Sequence, residues 1–194
     1  MTAEFAPLSP DDPRSTDKQL EDLVAFLGYR PNALLTMARK PGLLPAVMGL
    51  VQVCIRGPSS ITPELRFLVA CEASRTACCF YSAAHAVHGA HHLGVPWSKL
   101  SELDVYPTSS HYSADERAAL CIATAGGTLP TRRSQDTFQL ARLCFTDEQC
   151  LDIVTVVAAF GWFNRWNGLI GSCLEDVPSE ALQHVRWLAD MAGA

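Results

Sequence analysis

Thr62-Pro63-Glu64 reads as the start of a helix: Thr as cap, Pro at the first helical position, and an acid in the first turn. The run LRFLVACEASRTA follows with few polar interruptions, so this helix is expected to be largely buried. The same signal recurs along the chain. Ser113-Ala114-Asp115-Glu116 is a capping box before RAALCIATAGG, and Thr146-Asp147-Glu148 opens a long helix through QCLDIVTVVAAFGWFNRWNGLIGSCL. KQLEDLVAFLG has apolar residues at Leu20, Leu23, Val24 and Leu27 and stops at Gly28. Asn32 is placed as the cap of ALLTMARKP, and Ser134 as the cap of DTFQLARLC. LLPAVMGLVQVCI reads as one long apolar helix, CCFYSAAHAVHGAHHLG as a helix stopped by Gly94, and SEALQHVRWLADM as one amphipathic helix. No run alternates with period two beside a hairpin signal. The expectation is an all-α, single-domain helical bundle over residues 19–194, preceded by a flexible Pro- and Asp-rich arm over residues 1–18.

Composition narrows the partners. The 194 residues are 48% apolar and 18% charged, with a formal net charge of −5. No basic stripe stands out, which argues against nucleic acid. No stretch of about twenty apolar residues is unbroken, so no membrane span is expected. The N-terminal residues lack a basic flank and apolar run, so no signal peptide is read there. Most of the eight cysteines lie in apolar runs and are expected to be reduced, buried small hydrophobes of a cytoplasmic protein. LLPAVMGLVQVCI has no polar face to give to water, which suggests self-association.

The stretch CCFYSAAHAVHGAHH concentrates the reactive side chains. On a helix, Cys79, Ser82 and His85 fall three apart along one ridge, and Cys78 lies four before Ser82. Either thiol could communicate with His85 through the serine hydroxyl or a water. A nearby imidazolium or a helix N-terminus favours the thiolate, the reactive form of cysteine. Packing alone is the competing explanation. His85, His88 and His92 also share a face, but one helix rarely supplies three metal ligands, and no HExxH or paired CxxC accompanies them. Neither a metal nor another cofactor is expected.

Three blocks together resemble the alkyl hydroperoxidase D-like, or carboxymuconolactone decarboxylase, superfamily: LRFLVACEASRTACCFYSAAHAVHGAHHLGV, SADERAALCIATAGG, and FTDEQCLDIVTVVAAFGWFNRWN followed by LEDVP. The chain is most similar to its peroxidase-related branch, over about residues 24–180. The resemblance implies an all-helical fold, a dimer, trimer or hexamer, and a redox CxxC with a histidine just beyond it. Counted back from Leu93-Gly94, the first cysteine falls on Cys79, the aromatic on Tyr81, the second cysteine on Ser82 and the histidine on His85. The pair is therefore degenerate, Cys79-Phe80-Tyr81-Ser82. In the other register, Cys78 pairs with Tyr81 and the second cysteine is again lost. The family's proton-relaying glutamate falls on Phe67, with Glu64 and Glu72 about one turn away.

Two functions follow as expectations. In the first, a thiol-dependent peroxidase-like oxidoreductase uses Cys79 (or Cys78) as nucleophile, His85 as base or relay, and Ser82 and Tyr81 as hydrogen-bond donors. Its substrate is a hydroperoxide and an outside thiol is its reductant. In the second, His85, Tyr81 and Glu72 do acid–base work on a small lactone-like molecule in an apolar pocket, and a redox-inactive family member is the remaining alternative.

Overall fold

A computed structural model describes residues 3–132 and 135–193. Its helices are α1 (Lys18–Leu27), α2 (Asn32–Met37), α3 (Leu43–Val51), α4 (Pro63–Thr76), α5 (Phe80–His92), α6 (Trp97–Leu100), α7 (Ala114–Gly127), α8 (Gln135–Ala141), α9 (Asp147–Ile170), α10 (Asp176–Ser179) and α11 (Arg186–Ala192). The described residues contain no strand, and none of their helices is long and apolar enough to cross a membrane.

α4 is the hub. Thr62 Oγ1 accepts the Leu65 N–H at 3.2 Å and starts it as expected. It then packs on α5, α7 and α9 at once. Leu68, Val69, Ala70, Cys71 and Ala73 are accordingly buried all round the helix. Small side chains at Ala70, Cys71 and Ala73 permit three close neighbours. The capping boxes at Ser113/Glu116 and Thr146/Gln149 both form, which satisfies orphan amides at the starts of α7 and α9. Gly28 and Gly171 take left-handed geometry and end α1 and α9.

Local signals miss in four places. Asn32 does not cap α2. It is the first helical residue, and its side chain reaches the Cys173 carbonyl instead, at 3.0 Å. LLPAVMGLVQVCI is α-helical only to Val51, and Gln52–Arg56 is a π turn. The last helix is broken into a 3₁₀ turn, Glu180–Gln183, and α11, because the chain turns extended at fully buried Val185. Both cysteines of the pair precede α5 rather than lying on it. The cap expected at Ser134 lies outside the described residues. Within residues 3–17, Ser15 is buried and the Glu4 N–H donates to the Ile170 carbonyl at 2.9 Å. Leu8 is buried and its N–H donates to the Leu35 carbonyl at 3.3 Å.

Phe67 leans from α4 onto Gly89 of α5. A Cβ at residue 89 would stand 2.2 Å from Phe67 Cε1. Gly89→Ala is therefore expected to cost about 1–3 kcal/mol by overpacking, read by urea denaturation. Gly89→Ala in a Phe67→Leu background should recover most of that loss.

Candidate active site

Between α4 and α5 the chain makes one tight reversal. Cys78 is in the left-handed region, at φ 53°, and Cys79 is extended. A non-glycine residue there costs about 1–2 kcal/mol. The turn is held by the Cys78 N–H on the Arg75 carbonyl and the Cys79 N–H on the Ser74 carbonyl, both at 3.0 Å. The two thiols consequently separate: Cys78 is exposed and Cys79 buried.

One turn further on, α5 presents Tyr81, Ser82 and His85 to a cavity of about 120 Å³. An apolar cavity of roughly 150 Å³ takes up benzene, so this space suits one small ring. Phe26, Phe67, Phe160 and Phe163 supply much of the apolar wall. Asn167 and Arg56 are its other polar contributors.

Behind Tyr81 and His85 stands Glu175, from the loop after α9. Its Oε1 accepts the Tyr81 hydroxyl at 2.8 Å and the Asn32 N–H. Its Oε2 pairs with His85 Nε2 at 2.7 Å. The Tyr29 hydroxyl is 2.9 Å from His85 Nδ1, and Tyr81 Oη accepts the Ala33 N–H at 3.1 Å. Burial pushes the Glu175 carboxyl up, but His85, the Asn32 amide and Tyr81 outweigh it and hold the carboxyl below its ordinary value. Burial, reinforced by the Glu175 charge, pushes both Tyr29 and Tyr81 up, so both are phenols at neutral pH. The ionised carboxylate therefore accepts the Nε2 proton, and Nδ1 meets Tyr29.

A second chain of bonds runs through Ser82. Cys79 Sγ donates to Ser82 Oγ at 3.3 Å, and Asn167 Nδ2 donates to the same oxygen at 3.0 Å. Asn167 Oδ1 accepts from Ser172 Oγ at 3.1 Å. Ser82 thus lines the cavity, whereas Cys79 is not among the cavity-lining residues. Since both nitrogens of His85 are occupied, no Ser–His bond is present.

Of the residues singled out from sequence, Tyr81, Ser82 and His85 come together. Cys79 adjoins them, and Cys78 faces solvent. Glu72 is not brought to the cavity: it is fully buried and bonded to Arg75 at 2.8 and 2.9 Å and to Thr124 at 2.6 Å. Glu175, within LEDVP, is the site residue that the sequence reading misses. LEDVP carries the resemblance, but its spacing assigns Glu175 no chemical role. His88 bonds weakly to the Leu27 carbonyl at 3.4 Å, and His92 packs on Phe26. No three His, Cys, Asp or Glu side chains among the described residues are grouped to hold a metal.

Brief iodoacetamide treatment at neutral pH, read by mass spectrometry, is expected to label exposed Cys78 and Cys173 first, and buried Cys71 last. Burial raises the Cys71 thiol pKa further still. Labelling of Cys71 ahead of Cys78 would contradict this placement.

The all-helical bundle has the alkyl hydroperoxidase D-like fold, shared with peroxidase-related structures. The chain is similar to the debrominase Bmp8, at 29% identity and a TM-score of 0.87, over 95% of this chain and 98% of that one. A cysteine-to-alanine variant of Bmp8 in complex with 2,3,4-tribromopyrrole aligns with a TM-score of 0.86 over 94% and 97%. A peroxidase-related protein from Silicibacter sp. TM1040 is 22% identical, with a TM-score of 0.75 over 90% and 92%. Another, from Ralstonia eutropha JMP134, is 21% identical, with 0.74 over 91% and 96%. No family model and no curated protein sequence matches the chain.

Proposed function

We propose that the chain is a small-molecule enzyme that transfers protons to and from a compact, largely apolar substrate. The observation that carries this reading is Glu175, ionised and joined to both Tyr81 and His85, the two acid–base groups on the cavity wall. In an apolar site a carboxylate fixes the histidine's tautomer and stabilises its protonated form. His85 serves as base through Nδ1 when a substrate atom or a water takes the place of Tyr29. Tyr81, kept as a phenol, donates its one proton to Glu175 and helps hold that carboxylate ionised behind the histidine. A weakly acidic carbon, such as the position next to a lactone carbonyl, is the group this pair fits.

A second reading is thiol-dependent, and the Cys79–Ser82 hydrogen bond favours it. Ser82 at the wall would hydrogen-bond a peroxide oxygen next to the sulfur. Cys79 would attack a hydroperoxide, giving its sulfenic acid and an alcohol, and two molecules of an outside thiol would return the cysteine and release water and a disulfide. The likeness to Bmp8 extends this reading to brominated pyrroles. Ser82 leaves no resolving thiol at the expected place. A reduced cytoplasmic setting and a homo-oligomer accompany both readings. Exposed Leu143, Leu151 and Leu169 are the side chains a second copy would cover.

Wild type, Cys79→Ala and His85→Gln separate the two. Hydron exchange next to a lactone carbonyl is followed by NMR in heavy water. Hydroperoxide loss and bromide release from 2,3,4-tribromopyrrole are followed in dithiothreitol. Exchange that survives Cys79→Ala and is lost in His85→Gln supports proton transfer. Turnover that requires both Cys79 and the dithiol, with no exchange, transfers the site to the second reading.

A further inference from the structure

We infer that Arg56 is an anion-binding residue of the cavity, so that the substrate is an organic acid: a ring-sized apolar body bearing one carboxylate. The inference rests on the proposed small-molecule site and adds the class of substrate it takes.

Arg56 lines the cavity. Its guanidinium lies over the Phe26 ring, 5.1 Å from the centroid. Nη1 is buried and has no hydrogen-bond partner. Among the described residues no acid forms an ion pair with it. Native proteins rarely bury a charged N–H without an acceptor, because the lost hydration is not replaced. An arginine that only packs its stem on an aromatic ring keeps its head in water. Arg56 turns part of its head inward.

Its position is also built. Arg56 ends the π turn Gln52–Arg56, an arrangement that is rare and concentrated at functional sites. The turn closes with the Gly57 N–H on the Gln52 carbonyl at 2.6 Å. A Cβ at residue 57 would stand 2.5 Å from that oxygen, so only glycine fits. Arg66, itself buried, donates Nη1 to the carbonyls on either side of Arg56, Ile55 at 2.5 Å and Gly57 at 2.9 Å. A clamped backbone, a guanidinium-bearing residue in the cavity wall and a missing counter-ion together describe half of a charge-assisted bond. Carboxylate is the complement of a planar guanidinium fork, and the phenylalanine wall accepts an apolar ring beside it.

Benzoate and its neutral counterpart benzamide are the probes, with binding measured by ligand-observed NMR on wild type, Arg56→Gln and Arg56→Lys. Wild type should prefer benzoate. Arg56→Gln should weaken benzoate roughly 10- to 100-fold and leave benzamide within about twofold. Arg56→Lys should fall between. Equal affinity for the two probes in wild type, no binding of either, or equal loss of both in a folded variant would overturn the inference. So would formate displacing benzoate at equal concentration, since that describes an anion site indifferent to the ring. If Arg56→Gln does not fold, wild type and Arg56→Lys still decide. The readout is binding without turnover. Benzoate selectivity with no hydron exchange leaves the anion site standing and removes the proton-transfer reading. Exchange on neutral lactones with no benzoate preference does the reverse.

Discussion

Glu175→Ala is expected to destabilise the protein by about 3–5 kcal/mol, because it leaves three buried donors without their acceptor, each at a cost of about 1–3 kcal/mol. Its carboxylate satisfies three donors from two helices: the Asn32 N–H of α2, and the Tyr81 hydroxyl and His85 Nε2 of α5. It also does for α2 what no cap side chain does, since Pro31 precedes that helix without a side-chain bond. For a chain of this length each kcal/mol moves Tm by about 2–4 °C, so a fall of roughly 6–20 °C is expected in a thermal scan. A fall of less than about 2 °C would show that the network holds nothing together. The same group makes stability depend on pH. Its folded-state pKa lies below its ordinary value of 4.5. Its contribution is therefore complete above that value and is lost as pH falls through the folded pKa. Wild type should lose stability below about pH 4.5, and Glu175→Ala should lose less of it over the same range.

His85→Gln is expected to slow turnover about 10²- to 10⁴-fold, the range for loss of a general acid or base. Glutamine can still donate to Glu175, so folding should survive and the loss should fall on kcat rather than on expression or Tm. Cys79→Ala should change the rate of proton transfer by no more than about threefold, because the thiol only donates to Ser82. Steady-state kinetics of both variants, beside their urea midpoints, provides the check. A Cys79→Ala loss as large as that of His85→Gln would put the sulfur in the reaction.

Helix starts were legible because a cap is a local device. Thr62, Ser113 and Thr146 each accept the N–H three residues on, and the chain needs nothing distant to do so. The absence of period-two runs made the all-α class readable for the same reason, and the spacing of Tyr81, Ser82 and His85 on one helix was enough to bring them to one wall. The reading failed where tertiary contact outweighed local preference. Asn32 has the chemistry of a cap, but Glu175 takes its backbone N–H and Cys173 its side chain. The cysteine pair looked helical, yet the chain reverses at Cys78 and sends one thiol outward and the other inward. Glu72 was the nearer glutamate in sequence, but α7 and Arg75 claim it. The acid that completes the site is Glu175, 90 residues from His85 and 94 from Tyr81. No periodicity or motif spans such distances. Only the packing of the loop after α9 against α2 and α5 brings that carboxylate to the histidine, and only burial there makes the pair's chemistry differ from that of the same residues in water.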